Sequence, residues 1–61
     1  LRMAVKYKVT NGDTVLGNFP ADCADVAVDK AVAKWERYGN LDFSKPFNVV
    51  RGKHSYVVER G

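Results

Sequence analysis

Cys23 and His54 are the two side chains whose chemistry suits a nucleophile and a base. Cys23 falls where a helix should start, and a helix dipole there favours a thiolate; His54 falls in the second of two expected hairpins. Nucleophilic catalysis needs the base within hydrogen-bond reach of the nucleophile, and no motif joins these positions, so no catalytic residue and no enzyme is expected. The same pair supplies only half of the roughly four ligands a zinc site requires. Asp22, Asp25 and Asp29 follow one another at helical spacing, which points them along a surface rather than around an ion. Capping and dipole roles account for them. Gly12, Gly17, Gly39, Gly52 and Gly61 are scattered singly, so no glycine-rich phosphate cradle is present. The reading carries no metal and no small-molecule cofactor.

Charge is the chemistry that remains. Ten Lys or Arg against seven Asp or Glu give a net charge of +3, a mild bias toward phosphate or other acidic partners. Lys6 and Lys8 share one face of the first expected strand, and Arg51, Lys53 and His54 cluster at the tip of the second hairpin. These five are the candidate nucleic-acid contacts, and a chain that binds phosphates through them would do so with strong salt dependence. The alternative is a protein-binding module, whether an inhibitor, an adaptor or a homodimeric subunit. It would use a sheet edge or an exposed helix strip in which Val26 and Ala33 stand beside Lys30 and Arg37. Trp35 and Tyr38 fall on the helix stripe that covers the sheet, and Tyr7 and Tyr56 on the inner sheet face, so none of them offers a stacking platform unless a hairpin slips by one residue.

The elements that must position these groups follow from periodicity and punctuation. From Met3 to Thr10, apolar Met3, Val5, Tyr7 and Val9 alternate with Ala4, Lys6, Lys8 and Thr10, the period-two pattern of a half-buried strand. Asn11-Gly12 signals a type I′ hairpin turn, with a second strand from about Thr14 to Phe19 that Pro20 ends. Asp22 stands as an N-cap for a helix reaching Tyr38, whose stripe is Ala24, Val28, Ala31, Val32, Trp35 and Tyr38, with Ala27 at its margin. Gly39 is the C′ stop. Asp22, Asp25 and Asp29 lie in its first half and Lys30, Lys34 and Arg37 in its second, the order that the dipole favours. Residues Asn40 to Lys45 turn, with Leu41 and Phe43 tucking under the helix end. Gly52-Lys53 is then the loop of a type II′ hairpin that pairs Val49 with Tyr56 and Phe47 with Val58.

The order strand, strand, helix, strand, strand predicts an α+β fold: ββαββ, an antiparallel four-stranded sheet with one amphipathic helix on one face. The other face stays open, carrying Lys6, Lys8, Val50 and Val57. Trp35 is expected to be the largest core side chain, and an apolar strip or free strand edge makes a homodimer plausible.

At 61 residues the chain is expected to be a single small domain or a fragment of one. A single cysteine cannot staple it, which favours a reducing, cytoplasmic setting. No apolar run approaches the roughly 18 residues of a membrane span. Leu1-Arg2 ahead of Met3 reads as a cloning scar.

Leu16, Gly17 and Phe19, followed by Ala24, Ala27, Ala31 and Ala33, resemble the strand-to-helix passage of plant AP2-type and integrase arm-type DNA-binding domains. The similarity covers about a third of the chain. Those families place three strands before the helix and read DNA with them, whereas two fit before Asp22 here.

Overall fold

The computed structural model describes residues 5–60. The strand start expected at Met3 and Ala4 and the cloning scar expected at Leu1-Arg2 lie outside the described residues. Four strands, β1 (Val5–Asn11), β2 (Thr14–Ala21), β3 (Phe47–Arg51) and β4 (His54–Val58), form one antiparallel sheet in the order β2-β1-β3-β4. A single helix, α1 (Ala24–Trp35), packs on one face and passes into a 3₁₀ turn at Glu36–Tyr38. The expected ββαββ architecture is the one observed.

The two hairpins obey different local rules. In the second, Arg51 pairs with His54, Val49 with Tyr56 and Phe47 with Val58, the expected register around Gly52-Lys53. In the first, Asn11 pairs with Thr14, so the loop is Gly12-Asp13 rather than Asn11-Gly12. Gly12 has φ +60° and no non-glycine residue among those described has positive φ, which excludes the expected type I′ turn. Asn11 stays in the strand because its side chain is used inside the protein.

Pro20 does not end β2. It pairs with Lys6, and the strand runs on to Ala21. β2 is a sheet edge, where the missing N–H can face outward without breaking the ladder. A bulge interrupts the pairing: Val9 faces Gly17 and Thr10 faces Val15, leaving Leu16 as the extra residue, buried in the core.

The N-cap is Cys23, in extended conformation and without a side-chain capping bond, rather than the expected Asp22. The α-helix ends at Trp35 rather than at the expected Tyr38, and the 3₁₀ turn carries the helical segment on to the expected stop, Gly39, which takes the left-handed conformation at φ +69°. Ala27, Val28 and Ala31 are its buried residues, and the small Ala27 is central to the contact rather than marginal. Against them the sheet turns Tyr7, Val9, Leu16, Phe19, Phe47 and Val49.

Trp35 is not the largest core side chain. It is half-buried at the rim, where Nε1 donates to the Leu16 carbonyl at 2.8 Å, while Phe47, Val9, Val28 and Val49 are the largest fully enclosed residues. Tyr38 leaves the stripe because the 3₁₀ turn changes the angular step from residue to residue; it is exposed and packs edge-on against Trp35. Trp35→Ala should therefore cost about 2 to 3 kcal/mol, below the ~3 to 5 expected for a fully enclosed aromatic. Urea unfolding should show a lowered midpoint with a cooperative transition retained; a loss as large as that of an enclosed aromatic would place Trp35 in the core after all.

The segment between Gly39 and β3 is held by Asn11, whose Oδ1 accepts from the Asp42 backbone N–H at 2.8 Å. Its Nδ2 donates to the Asp42 and Lys45 carbonyls at 3.1 and 3.4 Å. Leu41 is half-buried against the core; Phe43 is exposed, with its ring 6.0 Å from that of Phe47. Hydrogen bonds from the Ser44 side chain and backbone, with the nearby Lys45 charge, hold the Asp42 carboxyl below its ordinary value.

Candidate nucleic-acid interface

Strand alternation and the pairing registers decide what the helix-free face carries. Lys8 stands between Asn18 on β2 and Val50 on β3, and Val50 is opposite Ser55 on β4. The neighbouring row runs Val15, Thr10, Asn48, Val57. Lys6 is opposite Pro20, and its Cα lies ~7 Å from that of Lys8 on the same side of β1. Lys6, Lys8, Val50 and Val57 are all exposed. The face is thus a polar and aliphatic surface with two adjacent ammonium groups.

None of the four strands contains an acidic residue. Asp13, Asp22, Asp25, Asp29, Glu36, Asp42 and Glu59 all lie in the helix, turns and loops. The sheet therefore carries cations without counterions of its own, and the helix side carries most of the acids.

The pairing of β1 with β3 brings the candidate cations into two groups. Continuing the Lys8–Val50 register by two residues sets Gly52 opposite Lys6, so the exposed Lys53 in the adjoining turn lies at the Lys6 end of the sheet. Arg51 and His54 are in step with Val49 and Tyr56 and share the helix-side face. The Arg51 guanidinium lies 5.8 Å from the centroid of the Tyr7 ring, a cation–π contact, and is half-buried there. His54 is exposed beside it. Lys6 and Lys8 thus form one group on the open face and Arg51 and His54 another on the helix side, with Lys53 at the hairpin tip between them.

The aromatic rings point away from the open face. Tyr7, Phe19 and Phe47 are buried under the helix, and Tyr56 meets Tyr7 edge-on at 6.3 Å between centroids. Val26, Lys30, Ala33 and Arg37, the alternative docking strip, are all exposed on the helical segment, and Lys30 Nζ donates to the Pro20 carbonyl. Cys23 and His54 are both exposed, and no hydrogen bond joins them among the described residues. Among those residues no three His, Cys, Asp or Glu are grouped to hold a metal ion, and no helix is long and apolar enough to cross a membrane.

Two features escaped the sequence reading. Arg60 reaches back to α1, where Nη1 meets Asp29 Oδ1 at 2.6 Å and Nη2 donates to the Asp25 carbonyl at 3.1 Å. The i, i+4 spacing of Asp25 and Asp29, which one guanidinium can bridge, was the available signal. Beside this clamp a groove of about 470 Å³ runs between Cys23 to Asp25 on the helix and Tyr56 to Glu59 on the sheet edge. No protein-family model, curated protein or solved structure matches the chain, so its own geometry carries the reading that follows.

Proposed function

We propose that this chain is a small non-catalytic module that binds nucleic acid through phosphates, with Lys6, Lys8 and Lys53 as the contacts. The observation that carries the reading is an acid-free, helix-free sheet face on which the strand order sets β1 beside the second hairpin. Lysines there meet a polyanion without first breaking ion pairs on the same face. Asn18, Asn48, Thr10 and Ser55 add donors for phosphate and sugar oxygens. With no aromatic ring on that face, base stacking contributes little, and binding is tolerant of sequence. A single exposed cysteine with no disulfide suits a reducing, cytoplasmic setting.

Titration of wild type and the Lys6→Gln, Lys8→Gln, Lys53→Gln triple variant against DNA and RNA duplexes at several salt concentrations tests the reading. Wild type should bind at low salt with a steep salt slope, and each lysine removed should reduce that slope by about one unit. Arg51→Gln, which acts on the Tyr7 side, should leave the slope unchanged. No binding by wild type at low salt, or an unaltered slope in the triple variant, would overturn the proposal and leave protein docking as the better account.

A further inference from the structure

The two edges of the sheet are unequally protected. On β2 the bulge at Leu16, the proline at position 20 and the Lys30 ammonium on the Pro20 carbonyl all interrupt a path for an added strand. β4 has none of these: His54, Ser55, Tyr56, Val57 and Val58 pair with β3 without a bulge, and the strand holds no proline and no Lys, Arg, Asp or Glu. Val57 is 65% exposed and Tyr56 38% exposed. The groove between β4 and the start of α1 lies beside it.

Which backbone groups β4 offers follows from its hairpin. Arg51 and His54 flank a two-residue loop and form the first hydrogen-bonded pair, so Tyr56 and Val58 also turn their amides and carbonyls toward β3. Ser55 and Val57 turn theirs to the free edge. An antiparallel copy of the same strand, related by a two-fold axis at Tyr56, sets Ser55 opposite Val57 of the second copy and Val57 opposite its Ser55. Four backbone hydrogen bonds then close. The two Tyr56 residues face each other as the close, non-hydrogen-bonded pair and extend the Tyr7–Tyr56 contact across the axis.

Charge selects this register from its neighbours. With the axis at Tyr56, Lys53 of each copy stands opposite Glu59 of the other. Both are exposed, and Arg60, the next residue, turns away to the helix and leaves Glu59 clear of it. Shifting the pairing by two residues sets either Ser55 or Val57 against these charges and loses both ion pairs. We infer that β4 is a self-association edge, joining two copies of this chain into one continuous eight-stranded sheet with Lys53–Glu59 pairs at both ends of the joint. This inference does not rest on the nucleic-acid reading, although Lys53 enters both, and its test contains no nucleic acid.

Sedimentation equilibrium at low salt, from micromolar to millimolar protein, should resolve a monomer–dimer equilibrium for wild type. Lys53→Glu or Glu59→Lys alone creates two like-charge pairs per dimer and should raise the dissociation constant about tenfold. The double swap should restore it to within about threefold. Val57→Pro removes only an outward-facing amide and should abolish the dimer, with monomer folding checked by circular dichroism. A monomer throughout, single reversals without effect, or a double swap that fails to restore association would each overturn the proposal. The charge variants lie at exposed positions and keep the test decisive even if Val57→Pro disturbs the fold.

Discussion

Phe47→Ala should leave the protein largely unfolded at room temperature. Phe47 is the largest side chain with no solvent exposure; its strand position is flanked by Asn11 on β1 and Val58 on β4, and Phe43 packs its ring nearby. Removing an enclosed phenyl ring costs about 3 to 5 kcal/mol, from lost transfer free energy and from the cavity that a small core cannot collapse to fill. A 61-residue domain has a total stability of about 3 to 9 kcal/mol, so the single substitution removes most of it. Urea unfolding followed by tryptophan fluorescence should show a missing or sharply shortened folded baseline. Val57→Ala on the open face should keep a wild-type transition. A Phe47→Ala midpoint close to wild type would mean that the core is not organised around this ring.

The second large effect is expected at Asn11, which is only 4% exposed. Its amide bonds three backbone groups of the segment that leads into β3, so truncation to Ala takes the partner from the Asp42 N–H and the Lys45 carbonyl, while the Asp42 carbonyl keeps only the Lys45 N–H. The expected cost is about 2 to 4 kcal/mol. Asn11→Asp should be worse at neutral pH, because it replaces the Nδ2 donor with a second acceptor facing two carbonyl oxygens and buries a charge. That carboxyl would titrate higher in the folded state than in the unfolded one. Its penalty is therefore absent below the unfolded value and grows as pH rises through the folded value. Denaturation of both variants across acid and neutral pH should show the Asp variant recovering in acid while the Ala deficit stays constant. A parallel response would remove the donor role from the account.

Asn11 also shows why part of the structure was hidden from the sequence. Beside Gly12 it carries the strongest local hairpin signal, and the hairpin is there. The turn moved one residue along because a buried amide was needed 31 positions away, at Asp42. Cys23 in place of Asp22 at the helix cap is a smaller shift of the same kind.

Of the candidate site, the facing of Lys6 and Lys8 was legible, since alternation with Val5, Tyr7 and Val9 allows one burial pattern only. The placing of Arg51 and His54 on the Val49 and Tyr56 side was implicit in the second hairpin's parity. The position of the tip beside Lys6 was not legible, because it depends on β1 pairing with β3.

The sequence by itself determined the elements: a period-two strand, a helix with a small-residue stripe and a glycine stop, and a hairpin whose register follows from a glycine able to take positive φ. These are short-range consequences of sterics and of burying one face, and they act over a few residues. Only the tertiary structure decided the order β2-β1-β3-β4, the bulge that buries Leu16, the rim position of Trp35 and the exposure of the β4 edge. Each of these depends on which of several compatible surfaces meet, and that choice belongs to the packing of the whole core.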